Sequence, residues 1–298
     1  MPPKSNPGDQ SSFGFTFTST RHDDTYPFIN PLKSNASDLR VLVTGASKGI
    51  GRATVISFAR SGVSGIAMLA RSNLDAVARE VLEAARAAGR KEPKLLKLQA
   101  DMTDQIAVEK AMATVEQEFG SLDVVINNAS YLEKWIPIAE SDVNDWWRTW
   151  EVNIKGTYLV CRASVPLLLK GKQKMMVMVT SAGAFNTRPG GSAYQTTKTA
   201  QIRLSYFLMA EYGEQGLLAY AIHPGGVKTE LAMNMPEDMY EILTCTPELA
   251  ADTMVWLTRE RREWIAGRYI NAPWDMEEFL AKKDAIVQND LLKIKLHV

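Results

Sequence analysis

Residues 39–60 read LRVLVTGASKGIGRATVISFAR, and this stretch decides the fold. The apolar run at 39–43 predicts a short buried strand, and the pattern after the glycines predicts a helix through Arg60. A Gly-rich turn between a strand and a helix forms a nucleotide phosphate site, because glycines let the backbone approach a pyrophosphate and the helix N-terminus offers free N–H groups. The pattern G-x-x-x-G-x-G is weak alone, and its place between strand and helix gives it weight.

The rest of the chain repeats the same alternation. Strands are predicted at 65–70, 95–100, 122–126, 175–179, 217–222 and 269–270, and helices at 74–88, 103–119, 153–169, 192–212 and 247–257. Thr103 is the predicted cap of the second of these helices. Right-handed crossovers then give one α/β domain, at 39–274, with a parallel sheet and helices on both faces.

The ends of the chain differ in composition from this domain. Residues 1–38 are rich in Ser, Thr, Asn and Pro and predict an arm whose first dozen residues are disordered. Residues 275–298 predict a charged helical extension. The sequence shows no internal repeat and no boundary of a second domain.

Composition excludes several classes of function. Lys plus Arg and Asp plus Glu are equal, at 34 each, so we expect no nucleic-acid partner and no polybasic membrane tether. No apolar run is long enough to span a bilayer, and the N-terminus does not resemble a signal peptide, so we expect a cytoplasmic protein. Two separated cysteines and three histidines favour neither a disulfide framework nor a metal site.

The end of the second predicted strand indicates which cofactor binds. An acidic residue there would hydrogen-bond the hydroxyls of an adenosine ribose. This chain has Arg71 and Ser72 instead, with Lys48 in the Gly-rich turn. Two cations at that corner favour a 2′-phosphate through charge-assisted hydrogen bonds, so we expect NADP(H) rather than NAD(H).

A second motif lies at 177–198, VMVTSAGAFNTRPGGSAYQTTK. Tyr194 and Lys198 are four residues apart and share one face of the predicted helix, while Ser181 ends the preceding strand. An ammonium favours the charged form of a nearby phenol, which could then exchange a proton with a substrate oxygen. Ser181 could hydrogen-bond the same oxygen. Tyr-x-x-x-Lys alone is common on solvated helices, so this motif indicates an active site only together with the Gly-rich turn.

The remaining candidates concern the substrate. Trp135 follows a strand end, and Met233 and Met235 flank Pro236 in a segment that could be a flap over a bulky apolar substrate or a helix packed on the core. Phe185 and Trp274 complete the candidates for the substrate pocket. Asn153, at the start of a predicted helix, could cap that helix or belong to the site.

Taken together, these motifs resemble the short-chain dehydrogenase/reductase family over about residues 39–274. The residues that carry the resemblance are Thr44, Gly45, Gly49, Ile50, Gly51, Asp101, Asn127, Asn128, Ala129, Asn153, Ser181, Tyr194, Lys198, Pro224, Gly225, Val227 and Thr229. The resemblance implies a Rossmann-type, doubly wound sheet of seven parallel strands in the order 3-2-1-4-5-6-7. It also implies a homodimer or homotetramer built through the helices that hold Asn153 and Tyr194.

The resemblance further implies a role for each residue. Tyr194 would be the general acid, Lys198 would lower its pKa and hold the nicotinamide ribose, Ser181 would orient a carbonyl, and Asn153 would hold a water that leads to Lys198. Expected cofactor contacts are Gly45, Ser47, Lys48, Gly49, Ile50, Gly51, Arg71, Ser72, Asp101, Met102, Asn127, Asn128, Ala129, Tyr194, Lys198, Pro224, Gly225, Val227 and Thr229. Within that set, Asp101 would bind adenine, and Val227 with Thr229 would fix the carboxamide.

Two features depart from the family pattern: Ser130 stands where Gly is frequent, and Asn271 opens the segment that usually reads acidic-Gly-Gly. The N-terminal arm and the charged ending are similar to those of fungal members associated with secondary metabolism. The main hypothesis is an NADPH-dependent reductase of a hydrophobic ketone or aldehyde. The alternatives are an alcohol dehydrogenase that runs oxidatively, a sensor or scaffold that binds the cofactor without turnover, and a further non-redox activity.

Overall fold

Seven parallel strands form the centre of the protein in a computed structural model that describes residues 14–296. The strands are β1 (Arg40–Thr44), β2 (Gly65–Ala70), β3 (Lys94–Gln99), β4 (Val124–Asn127), β5 (Met175–Val179), β6 (Leu218–His223) and β7 (Tyr269–Asn271). Their order, β3-β2-β1-β4-β5-β6-β7, confirms the predicted fold class. The predicted disorder of the first dozen residues lies outside the described range.

Helices cover both faces of this sheet. One face packs against α1 (Gly49–Ser61), α2 (Asp75–Ala87) and α7 (Pro247–Thr258), and the other against α3 (Gln105–Phe119), α5 (Thr157–Lys170) and α6 (Ser192–Tyr212). Within β1, Val41 and Val43 belong to the hydrophobic core on the face covered by α1, and Leu42 belongs to the core on the face covered by α3. Because both sides of every strand except the edge strand β3 are buried, most of the strands are continuous apolar runs, and their sequences identify them readily.

The strand register brings the polar strand ends to one edge of the sheet. β1 pairs with β2 on one side and with β4 on the other, and all of these pairings are parallel. The segments that follow β1 and β4 therefore diverge and leave a crevice at this edge, which is where open α/β sheets bind ligands.

In the middle of the chain, the structure differs from the predicted helix that starts at 153. α4 (Val143–Trp150) continues through a π-helical segment (Glu151–Gly156) into α5, so the helical path begins ten residues earlier than predicted. Asn153 consequently lies inside the helical path, in the π segment, and does not cap a helix. Such π segments widen the helix locally and frequently occur at functional sites. The predicted cap at Thr103 is also wrong, because Asp104 caps α3 and accepts a hydrogen bond from the Ala107 N–H at 3.1 Å.

Both ends of the described chain pack near β7. In the arm, Gly14 O accepts a hydrogen bond from the Trp274 indole at 2.7 Å, and the Phe17 ring lies 4.9 Å from the Trp274 ring. After α8 (Met276–Ala281) and α9 (Lys283–Gln288), the backbone oxygen of Leu292 accepts the Tyr269 N–H at 2.8 Å. None of the helices within residues 14–296 is long and apolar enough to cross a membrane.

Candidate active site

A cleft of about 470 Å³ opens at the carboxyl ends of the strands. Its lining joins the two motifs of the sequence, since the Gly-rich turn and the Tyr194–Lys198 helix face the same space. The predicted cofactor contacts that line it are Gly45, Ser47, Lys48, Gly49, Ile50, Arg71, Ser72, Asp101, Met102, Asn128, Ala129, Tyr194, Lys198, Pro224, Val227 and Thr229. Gly51, Asn127 and Gly225 do not line it.

The Gly-rich turn leaves space and free donors for a phosphate group. Gly45 has a φ of +67°, a backbone conformation that residues other than glycine rarely adopt. A Cβ on Gly51 would lie 2.2 Å from the oxygen of Gly45, so Gly51 shapes the turn without reaching the cleft. The N-terminus of α1 has no side-chain cap at Lys48. Its first N–H groups and its positive dipole end are thus available to an anion.

Both predicted cations lie at the cleft and already contact carboxylates. Lys48 pairs with Glu230, and both side chains are mostly exposed. Arg71 Nη1 is 3.9 Å from Asp101 Oδ2. Exposed pairs of this kind are weak, so each cation can exchange its partner for a ligand phosphate.

Asp101 belongs to a charged cluster that the sequence did not reveal. Its carboxylate accepts from the N–H and hydroxyl of Thr103 at 2.9 and 2.8 Å, and from Arg148 Nη2 at 3.1 Å. Burial opposes ionisation of Asp101, but these hydrogen bonds outweigh it and lower the pKa. Arg148 itself lines the cleft. The amphipathic pattern of α4 was the only sequence signal that could have placed Arg148 there.

The two asparagines after β4 have different positions. Asn128 Nδ2 donates to the Thr44 oxygen at 2.9 Å, which ties the end of β4 to the Gly-rich turn. The structure corrects our expectation that the side chain of Asn127 contacts the cofactor, because this residue does not line the cleft. It is buried inside the sheet, and its Nδ2 faces Cys161 Sγ at 3.6 Å.

Tyr194 and Ser181 form the polar pair that the sequence predicted. The strand β5 ends two residues before Ser181, and Tyr194 lies in the first turn of α6. The Ser181 hydroxyl lies close enough to the Tyr194 phenol to act on its pKa. Burial raises the pKa of the Tyr194 phenol, and the smaller effect of Ser181 opposes this rise. The phenol is therefore protonated at neutral pH, as a proton donor must be, although we expected Lys198 to lower its pKa.

Lys198 is buried beside Tyr194, with its Nζ 5.3 Å from the centre of the phenol ring. Nζ donates to the Val179 backbone oxygen at 2.9 Å and to Gln201 Oε1 at 3.1 Å. Burial lowers the pKa of this amine to about 7, and within residues 14–296 no carboxylate contacts Nζ to offset the effect. Lys198 can thus change its charge near neutral pH.

Both the oxygen and the nitrogen of the Asn153 side chain are hydrogen-bonded. Its Oδ1 accepts from Ser130 Oγ at 2.9 Å and from the Tyr131 N–H at 2.8 Å, and its Nδ2 donates to Tyr131 O and to Thr197 Oγ1. The contact from Ser130 gives a physical reason for a hydroxyl where the family often has Gly. The side chain of Asn153 therefore fixes the loop after β4 against α6.

Glu133 is a functional candidate that sequence reasoning missed. This buried carboxylate accepts the Tyr194 backbone N–H at 3.0 Å and the Thr149 hydroxyl at 2.9 Å. It thus serves as the cap that α6 lacks at Gly191, and it favours the protonated form of Tyr194 by charge repulsion. An isolated Glu in a polar loop carries no sequence signal for such a contact.

The five predicted substrate residues do not line the cleft. Trp274 is a correction, because it is fully buried between the arm and α8 and cannot touch a substrate in this arrangement. Phe185 packs edge-on against Tyr269, with ring centres 4.8 Å apart. The ring of Trp135 covers the backbone of Gly191, just before Tyr194. Met233 is exposed and Met235 is half-buried.

Met233 and Met235 belong to residues 230–243, which we call the flap. It contains two short 3-10 turns, Ala232–Asn234 and Glu237–Ile242, so the alternative of a long helix packed on the core is wrong. Three contacts tie the flap across the cleft: Glu230 with Lys48, Asp238 with Arg188, and Asn234 Nδ2 with the Leu132 oxygen at 3.0 Å. Each contact reaches a different loop at the edge of the sheet.

Comparison with known proteins agrees with this geometry. A family model described as short chain dehydrogenase matches residues 40–240. Short chain dehydrogenase mpl6 of Monascus purpureus is 54% identical over 96% of this chain and 98% of its own length, and pigC of Monascus ruber is 47% identical over 99% and 98%. The solved structure of a short chain dehydrogenase from Salmonella enterica has a TM-score of 0.70 and 26% identity, over 83% of this chain and 99% of its own.

Proposed function

The chain belongs to the short chain dehydrogenase family, whose members are oxidoreductases of CH–OH and C=O groups that use a nicotinamide cofactor, and we propose that it is an NADPH-dependent carbonyl reductase. Its substrate would be a hydrophobic ketone or aldehyde. One observation carries the proposal: a single cleft is lined by the Gly-rich turn, the cations Lys48 and Arg71, and the pair Tyr194–Lys198.

The residues at the cleft fit a dinucleotide. The uncapped N-terminus of α1 and the Gly45 turn suit a pyrophosphate, and the buried lysine at the other end suits a ribose hydroxyl. A bound nicotinamide would supply the hydride, and the protein would supply orientation and charge. Val227 and Thr229, which line the cleft after β6, are the proposed contacts to the carboxamide.

Tyr194 is the proposed proton donor to the substrate oxygen. Its raised pKa keeps the proton on the phenol until charge develops on that oxygen. Ser181 accepts the Gly183 N–H at 3.0 Å, which leaves its own O–H to orient towards the phenol or a carbonyl. Two donors at one oxygen would stabilise the developing negative charge, as in an oxyanion hole.

Lys198 is proposed to hold the ribose and to stabilise the phenolate that remains after proton transfer. Two of its three N–H donors are committed to Val179 and Gln201, which leaves one for a group in the cleft. Asn153 is proposed to keep the π segment, and hence the cleft wall, in register with α6.

Charge supports NADPH over NADH. Lys48, Arg71 and Ser72 line the same end of the cleft, where a 2′-phosphate would meet two cations and a hydroxyl. Asp101 follows β3 rather than β2, and it is paired with Arg148. We propose that it contacts adenine, while Arg148 and the nearby Arg71 offset its negative charge at this end of the cleft.

The test is a fluorescence titration with NADPH and NADH, followed by a screen of hydrophobic ketones and aldehydes for NADPH consumption. We expect NADPH to bind at least ~10-fold more tightly, and Arg71→Asp to remove the preference, because a hydrogen bond to a charged group contributes about 1.5–3 kcal/mol. Arg79→Asp, in α2, is a matched control for charge alone. Preference for NADH with alcohol oxidation would favour the oxidative alternative. Binding without turnover on any carbonyl would favour the sensor or scaffold.

The proposal extends to assembly and context. Trp147, Tyr158 and Phe207 are more than half exposed on α4, α5 and α6 and would become buried in a homodimer or homotetramer. A sedimentation run with monomer alone at micromolar concentration would contradict this. We also propose a cytoplasmic enzyme of fungal secondary metabolism, with an arm at 1–38, a Rossmann domain at 39–274 and an extension at 275–298.

A further inference from the structure

The side chain of Gln201 occupies a central position that the proposed chemistry does not explain. It is buried on α6, three residues after Lys198 and on the same face. Its Oε1 accepts from Lys198 Nζ at 3.1 Å, and its Nε2 donates to the Asn153 backbone oxygen at 2.9 Å and to Thr157 Oγ1 at 3.3 Å. One amide therefore connects the lysine to the π segment.

The orientation of this amide follows from its partners. The Asn153 backbone oxygen can only accept, so the NH₂ group must face it. The amide oxygen then faces Lys198, which can only donate when charged. The water expected between Asn153 and Lys198 stays a prediction, and the side chain of Gln201 links the Asn153 backbone oxygen to Lys198 directly. An amide differs from a water because it does not readily pass a proton from one side to the other.

The surroundings of Lys198 are neutral apart from the site itself. From β5 the amine meets only the Val179 oxygen, and from the π segment it meets Asn153 through Gln201. The titratable groups nearby are Tyr194 on the same helix and Glu133, which binds the Tyr194 N–H from the loop after β4. Among the described residues no carboxylate contacts Nζ. The acceptor at 201 is thus the residue best placed to set how easily the amine carries charge.

We propose that Gln201 is a positioning residue that acts through Lys198, holding Nζ at the cleft with a neutral acceptor and linking it to the π segment. The neutral acceptor fixes the amine without locking it in the charged form, as a carboxylate would. This inference rests on the proposed function, in which Lys198 binds the cofactor ribose. It adds a residue outside the Tyr-x-x-x-Lys motif that decides over which pH range Lys198 works.

Two variants of similar size change the acceptor in opposite directions. Gln201→Glu places a carboxylate beside Nζ, and Gln201→Met removes the acceptor. We would measure the NADPH dissociation constant of each full-length protein from about pH 6 to about pH 9, where the amine titrates. We expect the alkaline loss of affinity to move upward by about one pH unit or more in Gln201→Glu and downward in Gln201→Met.

Gln195→Glu is the matched control, because it adds a buried carboxylate to the same helix at a side chain that contacts Arg188 N instead of Lys198. A purely structural role for Gln201 would change affinity equally at every pH. Identical pH profiles for wild type and Gln201→Glu, or an equal shift in Gln195→Glu, would overturn the proposal. If Gln201→Met does not fold, the comparison of the pH profiles of Gln201→Glu and Gln195→Glu still tests the proposal.

A cofactor-independent measurement separates this inference from the proposed function. In thermal unfolding without cofactor, Gln201→Glu should lower the melting temperature far more in a Lys198→Met background than in the wild type, because the buried carboxylate then lacks its partner. Equal losses in both backgrounds would contradict the contact. Failure of wild type to bind either dinucleotide would instead contradict the proposed function, and the unfolding cycle would still decide the role of Gln201.

Discussion

The two sides of the cleft are built in different ways. The side with Tyr194 and Lys198, which we call the catalytic wall, holds Lys198 and Gln201 buried and hydrogen-bonded to β5 and to the π segment, with Tyr194 half-buried at its surface. The flap opposite is tied by side chains that remain largely exposed, with Glu230 76% and Asp238 68% accessible. Buried contacts of this kind fix geometry, whereas exposed ion pairs contribute little and open readily. Rigid chemistry and adaptable substrate binding can therefore share one cleft.

The sharpest test of this contrast is Tyr194→Phe, which removes the proposed proton donor from the wall and keeps the ring. We expect turnover to fall about 10²–10⁴-fold, the contribution typical of a positioned general acid, with NADPH affinity nearly unchanged. NADPH consumption with the best ketone of the screen measures the first quantity, and fluorescence titration the second. Turnover within a few-fold of wild type would mean that another group donates the proton.

Gly51→Ala tests the rigidity of the cofactor side. Its Cβ would lie 2.2 Å from the Gly45 oxygen, so the turn must shift, and we expect a loss of roughly 1–3 kcal/mol in the free energy of unfolding by overpacking. Gly213→Ala is the control. Its φ is −61° and its nearest neighbour is the mobile end of Met209 at 3.3 Å. Similar stability of the two variants in chemical denaturation would show that the turn is more adaptable than the wall.

Lys198→Met asks what the buried amine contributes to stability. The folded pKa of about 7 lies below the unfolded value of about 10.4, so protonation favours the unfolded chain. The resulting penalty is complete below about pH 7 and disappears above about pH 10.4. We expect Lys198→Met to gain roughly 1–3 kcal/mol relative to wild type at pH 6, and to lose this gain as the pH rises. A stability difference that does not vary with pH would refute the lowered pKa.

The smallest effect is expected in the flap. Glu230→Gln frees Lys48 from its exposed carboxylate, so NADPH should bind about 2- to 5-fold more tightly at low salt, and the gain should fade at high salt. The free energy of unfolding should change by less than about 0.5 kcal/mol. Glu237→Gln, in the same flap, controls for the change in net charge. A large loss of stability in Glu230→Gln would break the contrast, because the flap would then be as integral as the wall.

The sequence predicted the wall in part and the flap hardly at all. Most strands were predictable because both faces of the sheet are covered, which makes a central strand an apolar run that ends in Gly or polar residues, as β5 does before Ser181. Tyr194 and Lys198 were predicted from their helical spacing together with the Gly-rich turn upstream. Gln201 was not recognised, since a glutamine three residues further resembles any polar helical position and its partners come from 48 residues away in the chain.

Other misses have the same physical origin. The π segment moves Asn153 from a predicted helix start into a helix interior, and no local pattern encodes a single widened turn. Trp274 was assigned to the substrate because it follows β7, but the arm returns over 250 residues of sequence to cover it, through Gly14 and Phe17. Contacts between distant segments decided each of these positions, and the amino-acid pattern around the residue did not.

The contact between Leu292 and Tyr269 has a consequence for solubility. β7 is the last strand, and an uncovered edge strand is a template on which another chain can add a strand of its own. The Leu292 oxygen accepts the Tyr269 N–H, and Arg268 pairs with Asp290 at 3.0 Å to hold the extension in place. We therefore expect the C-terminal extension to hinder strand addition at this edge. A chain shortened before Asp290 should keep its cleft and yet aggregate through the exposed edge.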